Sequence, residues 1–173
     1  MGNGNRGNIM IIKNGLVFTP EGKFEKKDLY VEGEYVAKET TDNKEVEAEG
    51  CYVIPGLVDI HFHGCVRHDM CDGTEESIQA LADYEASNGV LAICPATMTI
   101  PEEELFQAMK AAKGHKNGKG ADLVGINMEG PFINKEKKGA QKVAENQIIK
   151  QQNTLLQKIL DTFGKVSGAL SLC

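Results

Sequence analysis

Short apolar runs alternate with turn-forming residues over the first fifty positions. Residues 9–19 are apolar except at Asn14-Gly15, and Asn-Gly between apolar runs is a strong hairpin signal. Residues 28–37 and 45–53 alternate in a similar way. The pattern predicts a small all-β unit over residues 1–53, in preference to a disordered polar leader.

The pattern changes after residue 53 and predicts repeated β/α units. Residues 56–61 form a nearly continuous apolar run, typical of a strand buried on both faces of a parallel sheet. Thr74 can cap a helix that ends at Asn88-Gly89. A second strand over residues 90–94 follows.

A second β/α unit predicts a parallel sheet. Pro101 is followed by three acidic residues and opens a helix over residues 101–113, before a third strand over 122–128. The order β-α-β-α-β favours right-handed parallel crossovers, as in an α/β barrel or a doubly wound sheet. We assign residues 54–141 to this region. Apolar residues at helical spacing over 142–173 predict an amphipathic helical tail.

Composition and charge exclude several classes of protein. Apolar residues make up 41% of the 173 residues and charged residues 25%, which is ordinary for a globular protein. No uncharged apolar run approaches 18 residues, and no secretory signal is evident, so we expect a cytoplasmic protein with no membrane partner. The net charge of −6 argues against a nucleic-acid partner. The five cysteines have no paired spacing and are expected to be reduced thiols.

Two histidines at the end of the first apolar strand form the strongest chemical signal. In an extended chain, His61 and His63 project to the same side, where two imidazoles can bind a divalent metal such as zinc or iron. The alternative is a pair of histidines that only form hydrogen bonds. Cys65, His68 and Asp69 lie in the loop that follows, and a solvated loop is the favoured interpretation for them.

A carboxylate follows the third apolar run. Glu129 comes directly after residues 122–128 and would leave the same end of the sheet as the two histidines. Gly130-Pro131 would fix its direction by forcing a sharp exit. A carboxylate there can bind or bridge metals, although a strand-end glutamate exposed to water is the alternative.

These motifs carry a resemblance to a known family. The segment Pro55-Gly56-Leu57-Val58-Asp59-Ile60-His61-Phe62-His63-Gly64 resembles the first-strand signature of the metal-dependent amidohydrolase superfamily. Met128-Glu129-Gly130-Pro131-Phe132, with Lys137-Lys138-Gly139-Ala140 after it, is similar to the N-acetylglucosamine-6-phosphate deacetylases. The resemblance covers about residues 9–141.

The resemblance implies a fold, a reaction and a substrate. The fold would be the first three units of a (β/α)8 barrel, with a small β-sandwich built from the two chain ends. The reaction would be metal-dependent hydrolysis of the N-acetyl amide of N-acetylglucosamine 6-phosphate, giving glucosamine 6-phosphate and acetate. The full-length family would form homodimers.

The resemblance also implies roles for individual residues. His61 and His63 would hold one metal of a two-metal site, and Glu129 would bind the other or bridge both. Some members lack the histidine pair and use one metal, so the pair in this chain favours two. Ala140 and Gln141 would contact the substrate, with Gln141 where some members have a histidine. The catalytic aspartate and two further histidine ligands would lie on later strands, and this chain has no histidine after His115.

The missing pattern after residue 141 indicates a shortened chain. A barrel needs roughly 250 residues, and three strands cannot close one. We therefore expect a truncation or frameshift product that is inactive alone. Three alternatives stay open: another amidohydrolase acting on a cyclic amide or dipeptide, a non-catalytic metal-binding fragment, and a small nucleotide-binding domain, disfavoured because no glycine-rich phosphate loop is present.

Overall fold

The computed structural model describes residues 9–33, 35–39 and 44–130. The chain divides into two compact units, Met1–Pro55 and Gly56–Cys173. The predicted tail over 142–173 and the expected substrate contacts Ala140 and Gln141 lie outside the described residues. No helix in the described ranges is long and apolar enough to cross a membrane.

The first unit is built on one mixed β-sheet. Its strands are β1 (Ile9–Phe18), β2 (Phe24–Glu32), β3 (Tyr35–Ala37), β4 (Glu45–Glu47) and β5 (Tyr52–Val53). β1 pairs with β2 antiparallel on one edge and with β4 and β5 parallel on the other, while β3 extends the sheet beyond β2. The predicted all-β character is confirmed for this part of the chain.

Asn14 does not reverse the chain, so the predicted hairpin at Asn14-Gly15 is wrong. Asn14 has a φ of 61°, and the pairing of β1 with β2 shifts by one residue between Ile12 and Gly15. This is a β-bulge inside a continuous strand. The Asn14 backbone N–H donates to Oδ1 of Asp28 at 2.9 Å, so a side chain replaces the interrupted ladder bond.

The second unit contains a parallel sheet with two helices. In chain order its elements are β6 (Leu57–Asp59), β7 (Gly64–Cys65), β8 (His68–Asp69), a short 3₁₀ helix (Met70–Asp72), α1 (Glu75–Ser87), β9 (Val90–Ile93), α2 (Glu102–Gly114) and β10 (Asp122–Leu123). β9 lies between β6 and β10, and both pairings are parallel. The predicted order of strands and helices is therefore confirmed.

The core of the second unit lies between the sheet and its helices. Ala82 of α1 packs with Val90 and Ile93 of β9, and Ile78 of α1 packs with Ala108 of α2. The expectation that the first strand is buried on both faces is wrong for the described residues. Leu57 and Val58 of β6 stay half-exposed because, among those residues, neither side chain packs into a core cluster. There β6 pairs only with β9 and forms an edge of the sheet.

Thr74 caps α1, as the sequence predicts. Its side chain accepts a hydrogen bond from the backbone N–H of Ser77 at 3.1 Å. We expect Thr74→Ala to lower the free energy of unfolding by about 1 kcal/mol, because one helix-terminal N–H loses its partner. Thr74→Ser keeps the cap and should retain most of that stability in denaturant titrations. Equal losses in both variants would contradict the capping role.

Candidate metal centre

The chain continues along the sheet beyond the last residue of β6, which determines the direction of both histidines. The backbone N–H of Ala96 donates to the carbonyl oxygen of Phe62, so the segment remains attached to the continuation of β9. The Phe62 ring packs against the core cluster that contains Ile93. Because side chains alternate in extended backbone, His61 and His63 point away from this core.

Two further hydrogen bonds hold the histidine segment. Oδ1 of Asp59 accepts from the backbone N–H of His61 at 2.9 Å, which fixes the chain where β6 ends. The carbonyl oxygen of His63 accepts from the backbone N–H of Met70 at 3.0 Å. Hydrogen bonds therefore hold the segment at both of its ends.

Glu129 reaches the same region from the continuation of β10. The Asn127 backbone N–H donates to the carbonyl of Pro95 at 3.0 Å, and the carbonyl of Asn127 accepts from Thr97 at 2.9 Å. The neighbouring side chains of Ile126 and Met128 pack against a core cluster on α2. The alternation that turns them inward turns Asn127 and Glu129 outward, toward the histidines.

The three predicted ligands come together beyond the carboxyl ends of the parallel strands. Nε2 of His61 lies 3.1 Å from Oε1 of Glu129, and Nε2 of His63 lies 3.9 Å from Oε2 of the same carboxylate. The two imidazole planes are nearly perpendicular, at 85°, with ring centroids 5.3 Å apart. One donor atom from each residue lies within 4.8 Å of the other two.

This donor set fits a borderline divalent cation. Tetrahedral zinc with nitrogen and oxygen ligands at about 2.0–2.2 Å needs donor atoms about 3.4 Å apart. The 3.1 and 3.9 Å separations from the two oxygens of Glu129 lie on either side of that value, and all three ligand atoms lie within 4.8 Å of one another. The side chains are 47%, 35% and 26% exposed for His61, His63 and Glu129. Solvent therefore reaches the cluster, which leaves room for further ligands.

Other residues considered as ligands have different roles. Nδ1 of His68 lies 3.1 Å from the hydroxyl of Ser77, within the network that caps α1. Burial, and secondarily the negative charge of Glu85, raises the pKa of the Cys65 thiol, which disfavours the thiolate that a metal requires. Among the described residues, neither belongs to the cluster of ligand atoms.

One residue of this site escaped the sequence analysis. Asn127 places its side-chain amide 2.9 Å from Nδ1 of His61. It lies two residues before Glu129 on the same strand continuation, so the alternation that singled out Glu129 also indicates Asn127. An amide is chemically inconspicuous, and nothing in the sequence connects it to a histidine 66 positions away.

A parallel α/β sheet with two histidines and a carboxylate at one end defines a class of protein. Histidine and carboxylate ligands beyond the C-terminal ends of parallel strands are typical of metal-dependent hydrolases. No family model matches the chain. Individual proteins, in contrast, do match the chain.

The chain is similar to part of the N-acetylglucosamine-6-phosphate deacetylases. It is 25% identical to the enzyme of that name from Lysinibacillus sphaericus over 139 residues, which covers 76% of this chain and 36% of the relative. It is 36% identical to the Vibrio furnissii enzyme over 90 residues, covering 51% of this chain and 23% of the relative. The resemblance stated from the motifs is confirmed.

A solved structure supports the fold. The N-acetylglucosamine-6-phosphate deacetylase from Pasteurella multocida superposes with a TM-score of 0.75 at 20% identity, covering 89% of this chain and 43% of that one. At this identity the match shows the fold alone. The chain spans well under half the length of the relatives that it matches.

Proposed function

We propose that His61, His63 and Glu129 hold a divalent metal ion, zinc or iron, in a site for one or two ions. The observation that carries this proposal is the approach of both Nε2 atoms to a single carboxylate, at 3.1 and 3.9 Å. Three polar side chains from two separate strand continuations converge there. A shared ligand explains why these side chains turn toward one another.

The reaction proposed is hydrolysis of the N-acetyl amide of N-acetylglucosamine 6-phosphate, carried out by the longer protein that the relatives represent. A bound metal supplies polarisation of the amide carbonyl and a lowered pKa for water. The two imidazoles and the carboxylate of this chain position that metal at the solvent-exposed edge of the sheet. The names of the deacetylase relatives support this substrate.

Several parts of this proposal extend beyond the described residues. We propose a (β/α)8 barrel that begins with the unit after Pro55, and a β-sandwich that includes the first unit. The domain boundaries at 1–53, 54–141 and 142–173 belong to the same proposal. So do substrate contacts by Ala140 and Gln141, a cytoplasmic location and a homodimeric full-length protein. The three parallel strands support the barrel, since they have the order that its first units require.

Metal binding and hydrolysis can be tested separately on the 173-residue chain. We expect equilibrium dialysis to show zinc bound at a ratio of at least one ion per chain. We expect no acetate release from N-acetylglucosamine 6-phosphate, because the resemblance places the catalytic aspartate and two further ligands on strands beyond this chain. Absence of zinc binding would overturn the proposed site. Acetate release at an ordinary enzymatic rate would contradict the expected inactivity.

A further inference from the structure

His61 is contacted at both ring nitrogens by residues of a single segment. Its Nε2 faces the carboxylate of Glu129 at 3.1 Å, and its Nδ1 faces the amide of Asn127 at 2.9 Å. Asn127 and Glu129 are two residues apart in extended backbone, so their side chains share one face. By contrast, Nδ1 of His63 is buried and has no hydrogen-bond partner among the described residues.

The contacts of the His61 ring favour one tautomer in the metal-free protein. An ionised carboxylate only accepts hydrogen bonds, so the 3.1 Å distance between Nε2 and Oε1 of Glu129 favours the tautomer with the proton on Nε2. Nδ1 is then an acceptor, and the Asn127 amide nitrogen donates to it. The same amide nitrogen lies 3.4 Å from the carbonyl oxygen of Ile60, which is a second acceptor. In this tautomer, each of these three contacts pairs a donor with an acceptor.

When Nε2 binds a metal, Nδ1 has to donate a hydrogen bond instead of accepting one. A neutral imidazole that binds a metal by one nitrogen carries its proton on the other, and that N–H needs an acceptor. The amide nitrogen of Asn127 cannot accept it, but the amide oxygen can. A half-turn of the terminal amide exchanges the two atoms and gives up the long contact with the Ile60 carbonyl, while the backbone stays in its bonds to Pro95 and Thr97.

We infer that Asn127 is a positioning residue that supports both tautomers of His61, donating to Nδ1 without metal and accepting from it when Nε2 binds a metal. This inference rests on the proposed metal site. The side-chain amide carries out both roles because it presents a donor and an acceptor on one rotatable group. Of the two histidines, His61 is therefore the one held in orientation by an identified neighbour.

Two substitutions at position 127 test whether zinc binding depends on a hydrogen-bond acceptor facing Nδ1 of His61. Asn127→Ala removes the partner of Nδ1, and we expect zinc affinity to fall about 10–100-fold, the range typical for outer partners of metal-bound histidines. Asn127→Asp keeps an acceptor, and we expect its zinc affinity to equal or exceed that of the unmodified chain. Zinc affinity is measured by competition with a chromophoric chelator. Asn117→Ala is the matched control, because the Asn117 side chain hydrogen-bonds to the backbone of Leu123 and is not one of the clustered ligand residues.

A spectroscopic measurement tests the tautomer directly. In ¹⁵N NMR of the full chain, we expect the His61 ring to carry its proton on Nε2 without metal and on Nδ1 with zinc. In the Asn127→Asp variant, Nδ1 should carry a proton before zinc is added as well as after, because a carboxylate at position 127 only accepts hydrogen bonds, and a merely structural role would not produce this effect.

The outcomes distinguish this inference from the metal site itself. If the unmodified chain binds no zinc, the proposed site and this inference both fail. If it binds zinc and Asn127→Ala binds equally well, the site stands and the role of Asn127 is overturned. An Asn127→Asp variant as weak as Asn127→Ala would overturn it as well, because the acceptor would then be irrelevant.

Discussion

We expect zinc affinity to fall by at least about 100-fold when His63 is replaced by alanine. Removing a direct ligand should cost more than removing an outer partner, for which losses of about 10–100-fold are typical. His61→Ala should have an effect of the same order, because its Nε2 lies 3.1 Å from the shared carboxylate. Dialysis of each variant against zinc gives the comparison.

The control for these substitutions is His115→Ala. His115 follows α2 and is not one of the clustered ligand residues in the described part of the chain. Its replacement should leave zinc affinity within about threefold of the unmodified chain, and circular dichroism should show that all three variants keep their helices. Similar zinc binding by His63→Ala and His115→Ala would contradict the proposed ligand set.

The candidate ligands could be found from sequence because two simple regularities place them. Alternation in extended backbone puts His61 and His63 on one side, and parallel strands bring their carboxyl ends to one edge, where Glu129 follows the third strand. Both regularities depend only on spacing and strand order. The convergence of the three side chains is therefore the part of the site that the sequence predicts best.

Local backbone geometry is harder to predict, because a residue type that favours positive φ occurs both in hairpin turns and in bulges. Asn-Gly favours left-handed backbone, and Asn14 adopts it, but a bulge meets that preference as well as a hairpin does. The reverse occurs at Val66 and Arg67, which have φ values of 45° and 68° in the tight turn between β7 and β8. Neither residue type favours positive φ, so the sequence indicated only a polar loop there.

Burial was also incompletely predicted, because it depends on what covers a strand rather than on the strand alone. The apolar run of β6 has the composition of a strand covered on both faces. In the described residues, Leu57 and Val58 are nevertheless 50% and 58% exposed. An apolar run shows what a strand can bury, whereas the coverage comes from elements elsewhere in the fold.

The largest loss of stability in the second unit is expected for Ile93→Ala. Ile93 is fully buried in a cluster with Ala82, Val90 and Ala121, and its backbone pairs with Asp59 of β6. Replacing a buried isoleucine with alanine costs about 2–5 kcal/mol, through lost apolar burial and the cavity that remains. That is a large fraction of the roughly 5–15 kcal/mol that stabilises a typical protein.

Leu91→Ala provides the matched comparison on the same strand. Leu91 lies two residues before Ile93 in β9 and is 57% exposed, so its replacement should cost less than about 1 kcal/mol. Denaturant titration of both variants gives the two free energies of unfolding. Asp59 pairs with Ile93, and the Asp59 side chain also accepts a hydrogen bond from the backbone of His61. We therefore expect Ile93→Ala to weaken zinc binding and Leu91→Ala to leave zinc binding unchanged. Equal losses of stability in the two variants would contradict the burial of Ile93 in its core cluster as the source of the effect.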